Sequence, residues 1–444
     1  MGAESLRSDA KAIFKQALAA VDPRQAVRRA LDLKGSALTV DGRTYDLDGF
    51  DRIIAVGAGK AAGPMTQALE EVLGPRLEAG VVVTKYGHGS PTAVVEVLEA
   101  GHPVPDQAGV DAAERISALL ARAAGERTLV FCLLSGGGSA LMVGPAEGVC
   151  LADKQETTRL LLACGADIGE INSIRKHLSR LKGGGLARLA YPGRVISLII
   201  SDVVGDRIDV IASGPTTADH STWADCREIL DRYQIWGRTP EPVRRRIQAG
   251  LDGDIPDTPK PGQAELAGVR NIIIGSNRQA LDHAAARARE LGYAPLILSS
   301  TIEGETKDIA RMHVALAREV VQTGHPLPRP CCLISGGETT VTLGDAHGKG
   351  GRNQEFALAA ALDMEGMSGV LALSAGTDGT DGPTDAAGAQ ADGRACARAR
   401  ELGLDPRRFL QDHNAYAFFK ELGDLVMTGP TRTNVMDVRL MLLE

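Results

Sequence analysis

The sequence predicts an α/β protein of two domains, with mainly parallel or mixed sheets flanked by helices. Continuous apolar runs, rather than alternating ones, indicate strands that are buried on both faces. Each run ends in a small turn of Gly, Ser or Asp and leads into a helical stretch, which is the order of βαβ units. The chain has 444 residues, and at about 150 residues per domain it can hold two or three.

Six segments carry this strand pattern, and ligands are expected beyond their carboxyl ends. Helices are predicted over residues 5–20, 61–71 and 279–291. A Pro-, Gly- and charge-rich stretch at residues 233–267 predicts the boundary between an N-terminal α/β Rossmann-like domain, 1–235, and a C-terminal α/β domain, 236–444. The predicted strand segments are residues 52–60, 129–139, 195–202, 271–277, 331–338 and 370–378.

Composition argues against several classes of partner. The net charge is −7 and the aromatic content 3%, which disfavours nucleic acid and anionic membranes as partners. No apolar run approaches the ~18 residues of a membrane span, and the N-terminus lacks a signal-peptide pattern. Seven cysteines without a C-x-x-C pair predict buried thiols in a reducing cytoplasm rather than disulfides or a zinc site.

The first glycine turn, Gly57-Ala-Gly59-Lys60, almost forms a dinucleotide-binding fingerprint. Its third glycine, Gly63, comes one residue late, and the next strand ends in Lys85 instead of an acid. Both departures count against NAD. A glycine turn with a lysine at the start of a helix predicts a site for an anion or phosphate. The alternative is a tight turn with a solvated lysine.

A second turn runs from Ser135 to Ser139. It is not a nucleophile elbow, because no serine lies between its glycines. The glycines let the backbone approach a ligand closely, so a phosphate-binding turn is predicted, with a plain glycine turn as the alternative. The glycines are Gly136, Gly137 and Gly138.

A basic segment follows at residues 175–185 of this acidic protein. Arg175, Ser179 and Lys182 could share one helical face. The segment is either an anion-binding surface that includes Lys182 or a solvated basic face.

Acidic residues follow two of the predicted strands. Asp202 comes directly after the third strand and Asp206 four residues later, while Asp378 opens an acidic loop over residues 377–385. Mg²⁺ prefers one or two carboxylates together with phosphates and water, so these acids are candidates for metal or substrate contacts. Helix N-caps and Asx turns are the alternatives.

The loop of residues 344–355 resembles an anion-binding loop. It is not a Walker A motif, because the spacing is one residue short and Gly350 replaces Ser or Thr. Arg352 leads into a helix predicted over residues 353–362, and its planar guanidinium suits bidentate contact with carboxylate or phosphate.

Taken together, these motifs supply phosphate-binding turns, a few acids, a lysine and an arginine. The sequence shows no H-E-x-x-H motif and no intact dinucleotide fingerprint. Phosphoryl transfer requires this inventory, because it depends on positioning phosphates and neutralising their charge.

In their order and number, the motifs resemble the class II glycerate 2-kinases, which carry a C-terminal MOFRL region, here about residues 330–440. The resemblance covers nearly the whole chain. It rests on GAGKA (57–61), GHPVPD (101–106), LSGGGSA (134–140), NSIRKH (172–177), SDVVGD (201–206), SGPT (213–216), SGGET (335–339), GGRNQE (350–355) and GTDGTDGPT (376–384).

The resemblance implies two α/β domains with the active site in the cleft between them. It implies ATP- and Mg²⁺-dependent phosphorylation of D-glycerate at its 2-hydroxyl, or the same reaction with another divalent cation. Lys60 and Arg352 are the implied catalytic pair. The glycine turns and Lys182 would bind nucleotide phosphates, and substrate or metal contacts fall to Asp202, Asp206, Glu338 and Asp378.

Two other functions stay open at this point. Proteins of this family have also been called hydroxypyruvate reductases, and an NAD(P)H-dependent reductase is the enzymatic alternative, although the broken fingerprint argues against it. The non-enzymatic alternative is a sensor of sugar acids or nucleotides. The expected partner is a small-molecule substrate, without nucleic acid or membrane, and the oligomeric state is left open, with a homodimer as one option.

Overall fold

A computed structural model describes residues 3–344 and 348–444, and the chain forms two compact units. The N-terminal unit comprises residues 23–274. The C-terminal unit comprises residues from 275 onward together with the first helix of the chain, α1 (Ala3–Ala20).

The N-terminal unit contains a small three-stranded antiparallel sheet, a six-stranded sheet and the helices around them. Its elements are α2 (Pro23–Ala30), β1 (Leu31–Lys34), β2 (Ala37–Val40), β3 (Arg43–Asp46), β4 (Arg52–Ala58), α3 (Ala62–Leu73), β5 (Ala79–Lys85), β6 (Val95–Ala100), α4 (Gln107–Ala123), β7 (Thr128–Leu134), α5 (Gly138–Leu141), α6 (Leu151–Ala163), α7 (Ile168–His177), α8 (Gly185–Ala190), β8 (Arg194–Ile200), α9 (Trp223–Arg232), α10 (Glu241–Leu251), α11 (Ala264–Ala267) and β9 (Val269–Gly275).

The C-terminal unit is built on a mixed six-stranded sheet. Its further elements are α12 (Asn277–Glu290), β10 (Ala294–Ile302), α13 (Thr306–Thr323), β11 (Cys331–Gly337), α14 (Arg352–Asp363), β12 (Val370–Gly376), β13 (Gly388–Asp392), α15 (Ala395–Glu401), α16 (Pro406–Gln411), α17 (Ala415–Leu422), β14 (Leu425–Val426) and β15 (Asp437–Leu443).

The large sheet of the N-terminal unit has the strand order β6-β5-β4-β7-β8-β9. Strands β6, β5, β4, β7 and β8 pair in parallel. The chain therefore builds one half of the sheet from β4 to β6. It then returns to place β7 beside β4 and builds the other half from β7 to β9. In such sheets ligands bind where the strand order reverses, which here is the carboxyl end of β4 and β7. Every residue of β7 is buried, as its continuous apolar sequence predicts.

In the C-terminal sheet, the last strand of the chain lies in the middle. β15 pairs antiparallel with both β11 and β12, while β10 and β11 are parallel. The register sets Asp437 opposite Gly337 on one side and Gly376 on the other. The start of β15 therefore lies between the carboxyl ends of two strands.

The structure places the division between units away from the boundary expected at residue 235. The stretch 233–267 belongs to the N-terminal unit, because its α10 packs Val243 and Ile247 into a core shared with α6, α7 and α9. Strand β9 then joins the same sheet. Composition alone does not distinguish this packed stretch, residues 233–267, from a linker between domains.

The opening helix α1 is part of the C-terminal unit. Tyr293 donates a hydrogen bond to Asp9 at 2.8 Å. Arg7 pairs with Asp392 at 2.8 Å and also with Asp424.

The cysteines are all free thiols. Five are buried, whereas Cys164 is partly exposed and Cys150 is exposed, so the expectation of buried thiols is wrong for Cys150. Among the helices of the described residues, none has the length and apolarity needed to cross a membrane.

Asp257 ties the Pro-rich stretch to α7. It accepts a hydrogen bond from Nε2 of His177 at 2.8 Å and pairs with Lys260 at 3.0 Å. Burial alone would raise the pKa of Asp257, but His177 and Lys260 lower it to about 2.

Asp257→Asn should therefore lower the free energy of unfolding at pH 7 by about 2 kcal/mol. Since the folded-state pKa lies below the ordinary one, the stabilisation is present above pH ~4 and is lost as the pH falls toward ~2. Urea unfolding of both proteins between pH 2 and 7 measures this. The control is Asp254→Asn, at an exposed carboxylate three residues away; an equal loss in both variants would contradict the prediction.

Candidate active site

The carboxyl ends of β4 and β7 are joined by direct hydrogen bonds between their two turns. The Lys60 N–H donates to the carbonyl oxygen of Gly136 at 2.9 Å, and the Ala61 N–H donates to Oγ of Ser135 at 3.0 Å. The Ser135 N–H in turn donates to the carbonyl of Ala58 at 3.2 Å. The two glycine turns that the sequence predicts therefore form one surface where the strand order reverses.

Glycine is required in this surface because the backbones approach so closely. A Cβ at Gly59 would lie 2.1 Å from Oγ of Ser135, and one at Gly57 would lie 2.1 Å from the Leu133 carbonyl. Gly137 has a φ of 82° and forms the left-handed cap before α5, which Gly138 begins. The structure thus brings the residues of the two predicted turns together.

Asp202 follows β8 and lies against the second turn. A Cβ at Gly136 would lie 2.1 Å from Oδ2 of Asp202, so the carboxylate packs directly on the glycine. The next short helix begins at Val204 with Val203 as its N-cap, which excludes the N-cap alternative for Asp202. Asp206 lies in the bend beyond, with a φ of 54°, and its N–H donates to the Val203 carbonyl.

Ser139 and Lys182 connect the turn to α7 and the segment after it. Oγ of Ser139 lies 2.8 Å from Oγ of Ser213, which donates to Asn172 at 3.4 Å. The ammonium of Lys182, only 2% exposed, donates to the carbonyl oxygens of Ser139 at 2.7 Å and Met142 at 3.1 Å. Lys182 therefore supports the turn from inside the protein.

Sequence reasoning missed His102, although it quoted the GHPVPD segment. A Cβ at Gly137 would lie 2.8 Å from the His102 ring, so the imidazole packs on the second turn. Burial, followed by the charges of Lys60, Lys85 and His88, lowers the pKa of His102 to about 4. At neutral pH the site therefore contains an uncharged imidazole.

In the C-terminal unit, Arg352 is held by Asp437. Nε and Nη2 of Arg352 donate to the two carboxylate oxygens of Asp437 at 2.8 and 3.0 Å, and Nη1 lies 2.8 Å from Oε1 of Glu338. Burial alone would lower the pKa of Arg352, but Asp437 and Glu338 raise it. The guanidinium is thus charged and fixed in direction.

Asp437 is fully buried and has other partners. Nη2 of Arg439 donates to it at 3.0 Å and the amide of Asn353 at 2.9 Å. The sequence offered one weak signal for it, since Asp437 ends the polar stretch that precedes the final apolar run.

The acidic loop after β12 has two different roles. Asp381 accepts the N–H groups of Asn353 at 3.1 Å and Gln354 at 2.8 Å, so it caps the helix that Arg352 begins. Asp378, predicted as a substrate or metal ligand, accepts the N–H and the hydroxyl of Thr380, both at 3.1 Å, which is the Asx-turn geometry of the alternative.

The predicted site residues therefore form two clusters, one in each unit. The first holds the two glycine turns with Lys60, Asp202 and Lys182, and the second holds Arg352, Glu338 and Asp378. The loop that leads to Arg352 includes residues 345–347, which lie outside the described residues.

Comparison with known proteins places this chain in a family. A family described only as a domain of unknown function, DUF4147, matches residues 9–248, and the MOFRL family matches residues 331–437. A glycerate 2-kinase of Pyrococcus horikoshii is 42% identical over 99% of this chain and 97% of its own. A D-glycerate 2-kinase of Thermotoga maritima is 42% identical over 98% of each. The chain belongs to the glycerate 2-kinase family.

Solved structures of this family share the fold. A crystal structure of a Pyrococcus horikoshii protein matches 100% of this chain and 99% of its own with a TM-score of 0.89 and 41% identity. A glycerate kinase from Thermotoga maritima matches with the same TM-score of 0.89 over 99% of this chain and 100% of its own. An Agrobacterium vitis relative, 42% identical over 99% of this chain and 95% of its own, bears the provisional name hydroxypyruvate reductase.

The described residues contain no group of three or more His, Cys, Asp or Glu side chains that could hold a metal by themselves. Asp202 supplies a single carboxylate beside a glycine turn, which fits Mg²⁺ because this ion takes one or two carboxylates together with phosphates and waters.

Asp437→Asn should destabilise the protein by about 3–5 kcal/mol, since it leaves the buried guanidinium of Arg439 without its counter-charge and leaves Arg352 paired with Glu338 alone. Arg439 is nearly fully buried, and its Nε and Nη1 have no hydrogen-bond partner among the described residues. Guanidinium chloride unfolding measures the loss. Asp385→Asn, at an exposed carboxylate of the same unit, is the control and should cost far less; a loss no larger than the control's would show that the pairing does not support this unit.

Proposed function

We propose that the protein transfers the γ-phosphoryl group of ATP to the 2-hydroxyl of D-glycerate, giving 2-phospho-D-glycerate and ADP. The observation that carries the proposal is the joining of the two glycine turns at the point where the strand order reverses, with Lys60 and Asp202 beside them. Family membership over the full length supports it, because relatives that align end to end bear the name glycerate 2-kinase.

The chain's own residues would do three things in this reaction. The turn of residues 135–139 offers backbone N–H groups to phosphates, since its glycines leave no side chain in the way. Lys60 and Arg352 would bind the substrate carboxylate or the transferring phosphoryl group, where cations stabilise the charge of the transition state. Glu338 contacts Arg352. It would either move aside when the substrate binds to Arg352 or orient the acceptor hydroxyl of D-glycerate.

Asp202 is the residue that fits a divalent cation, with Asp378 as the corresponding candidate of the C-terminal unit. Asp202 would hold Mg²⁺, and the ion would supply neutralisation of phosphate charge. Asp206, in the bend that follows Asp202, is the further carboxylate for the same role in this unit.

The reductase alternative has less support. Gly63, the late third glycine, packs on a loop, since a Cβ there would lie 2.6 Å from Oγ of Ser90. Its role is therefore in helix packing rather than in contact with a pyrophosphate. The second strand of the sheet ends in Lys85, where a dinucleotide site needs an acid for the ribose.

Purified protein with D-glycerate, ATP and Mg²⁺ should form 2-phospho-D-glycerate, identified by ³¹P NMR against both phosphoglycerate standards. Product formation should stop when EDTA removes the metal and resume when Mg²⁺ is added back. In a parallel arm, hydroxypyruvate should not consume NADH or NADPH. NADH consumption without any phosphoglycerate would overturn the proposal in favour of the reductase.

We propose further that Lys60 and Arg352 act on the same phosphoryl transfer. Lys60→Met should lower kcat by about 10²–10³, the usual loss for one electrostatic stabiliser of a transition state. Arg352→Lys keeps a charge beside Asp437 but loses the bidentate geometry, and it should also lower kcat. Because groups that act as a unit are not additive, the double variant should lose clearly less than the product of the two.

Steady-state rates of the four proteins measure this, with melting temperatures recorded for each. Lys34→Met, at an exposed lysine that pairs with Asp32, is the control and should keep the wild-type rate. Strict additivity of the two losses would mean that the residues act in separate steps.

A further inference from the structure

A group of cations without carboxylate partners lies behind the second glycine turn. Lys182 and Lys154 are 2% and 8% exposed. Their ammonium groups donate to backbone carbonyl oxygens, Lys182 to Ser139 and Met142 and Lys154 to Leu178 at 2.7 Å. Neutral carbonyl oxygens satisfy the N–H groups but do not balance the charges.

Arg175 is the outermost member of this group. It is partly buried, and among the described residues its guanidinium makes no hydrogen bond or ion pair. Arg352, in contrast, is bound by two carboxylates. A desolvated guanidinium without a counter-ion is unfavourable.

The pKa values of the neighbouring lysines are lowered, first by burial and then by nearby cations. Burial, then the charges of Arg175 and Arg246, lowers the pKa of Lys154 to about 7. Burial, then Lys154 and Arg175, lowers the pKa of Lys182 well below its ordinary value. The shifts come from burial and from other cations.

The position of Arg175 on α7 directs it toward the glycine turn. Asn172 lies one helical turn earlier, so the two side chains share a face. Asn172 accepts a hydrogen bond from Ser213, whose hydroxyl lies 2.8 Å from that of Ser139. The face of α7 that carries Arg175 is therefore the one packed against the end of the turn.

We propose that Arg175 binds an anionic oxygen group of a substrate at the turn of residues 135–139, either a nucleotide phosphate or the carboxylate of D-glycerate. The inference rests on the proposed kinase function and adds a substrate-binding residue to it. A guanidinium binds either group through two parallel N–H···O bonds. The bound anion supplies the negative charge that this cation group lacks.

The test compares Arg175→Met and Arg175→Lys with the wild-type protein. Arg175→Met should raise the KM of the substrate whose anion Arg175 binds by about tenfold to a hundredfold, the loss expected for a charge-assisted hydrogen bond. The other KM and kcat should change far less, and Arg175→Lys should recover part of the loss. The matched control is Arg180→Met, because Arg180 is exposed and its nearest acidic partner is Glu114 at 3.8 Å.

The two sources of the anion give different results. A higher KM for D-glycerate alone assigns the carboxylate to Arg175, and a higher KM for ATP alone assigns a phosphate. The melting temperature of ligand-free Arg175→Met should equal or exceed that of the wild type, since the variant removes an unbalanced charge. A lower melting temperature with both KM values unchanged would show a structural role and overturn the inference.

Failure of the proposed function is distinguishable from failure of this inference. If the wild-type protein forms no 2-phospho-D-glycerate, the kinase proposal falls. Calorimetric titration of wild type and Arg175→Met with ATP, and separately with D-glycerate, then still tests the residue. Equal affinities of both proteins for both compounds would overturn the role of Arg175 alone.

Discussion

The buried carboxylate of Asp437 is the constraint on which the candidate site of the C-terminal unit depends. β15 enters the sheet antiparallel between β11 and β12, so its first residue lies between the ends of those strands. A buried charge there is tolerated only when paired, and Arg352, Arg439 and Asn353 pair it. The direction of Arg352 is thus set by the fold. An alanine at position 352 would leave Asp437 without one of its partners and so disturb stability, whereas a lysine keeps a positive charge there. Lysine is therefore the better replacement for probing Arg352.

Local patterns were sufficient for the parts of the fold that depend on neighbouring residues. The predicted segment 52–60 corresponds to β4 (Arg52–Ala58), and the helix predicted over 61–71 corresponds to α3 (Ala62–Leu73). The direct contact of the two turns at Lys60 and Ser135 was not predicted, because it depends on β4 and β7 being neighbours in the sheet. The placement of β15 was not predicted either, since its pairing with β11 and β12 joins distant parts of the chain. The contact of His177 with Asp257, which keeps the 233–267 stretch in the N-terminal unit, likewise spans 80 residues.

The N-terminal sheet shows why strand order alone does not identify a cofactor. Its order is that of dinucleotide-binding proteins, and its first turn is rich in glycine, yet the features that select a dinucleotide are replaced. Gly63 serves the packing of α3 against Ser90, and Lys85 follows the strand where an acid would hold a ribose. The fold provides the crevice, while the side chains around it determine the ligand. Here the side chains beside the glycine turns are Lys60, Asp202 and an uncharged His102.

The two candidate clusters balance their charges in opposite ways, and this difference bears on where an anion binds. In the C-terminal unit, Glu338 already contacts Arg352 at 2.8 Å, so an incoming phosphate or carboxylate must compete with a built-in carboxylate. In the N-terminal unit, Lys154 and Lys182 contact carbonyl oxygens, and the low pKa of His102 keeps that ring neutral at physiological pH. The cations behind the turn of residues 135–139 are thus held by neutral oxygens, while the carboxylate of Asp202 packs on the turn itself. The two clusters therefore differ in what an anion would meet: at Arg352 a carboxylate already bound to the guanidinium, and behind the glycine turn cations held by backbone carbonyl oxygens.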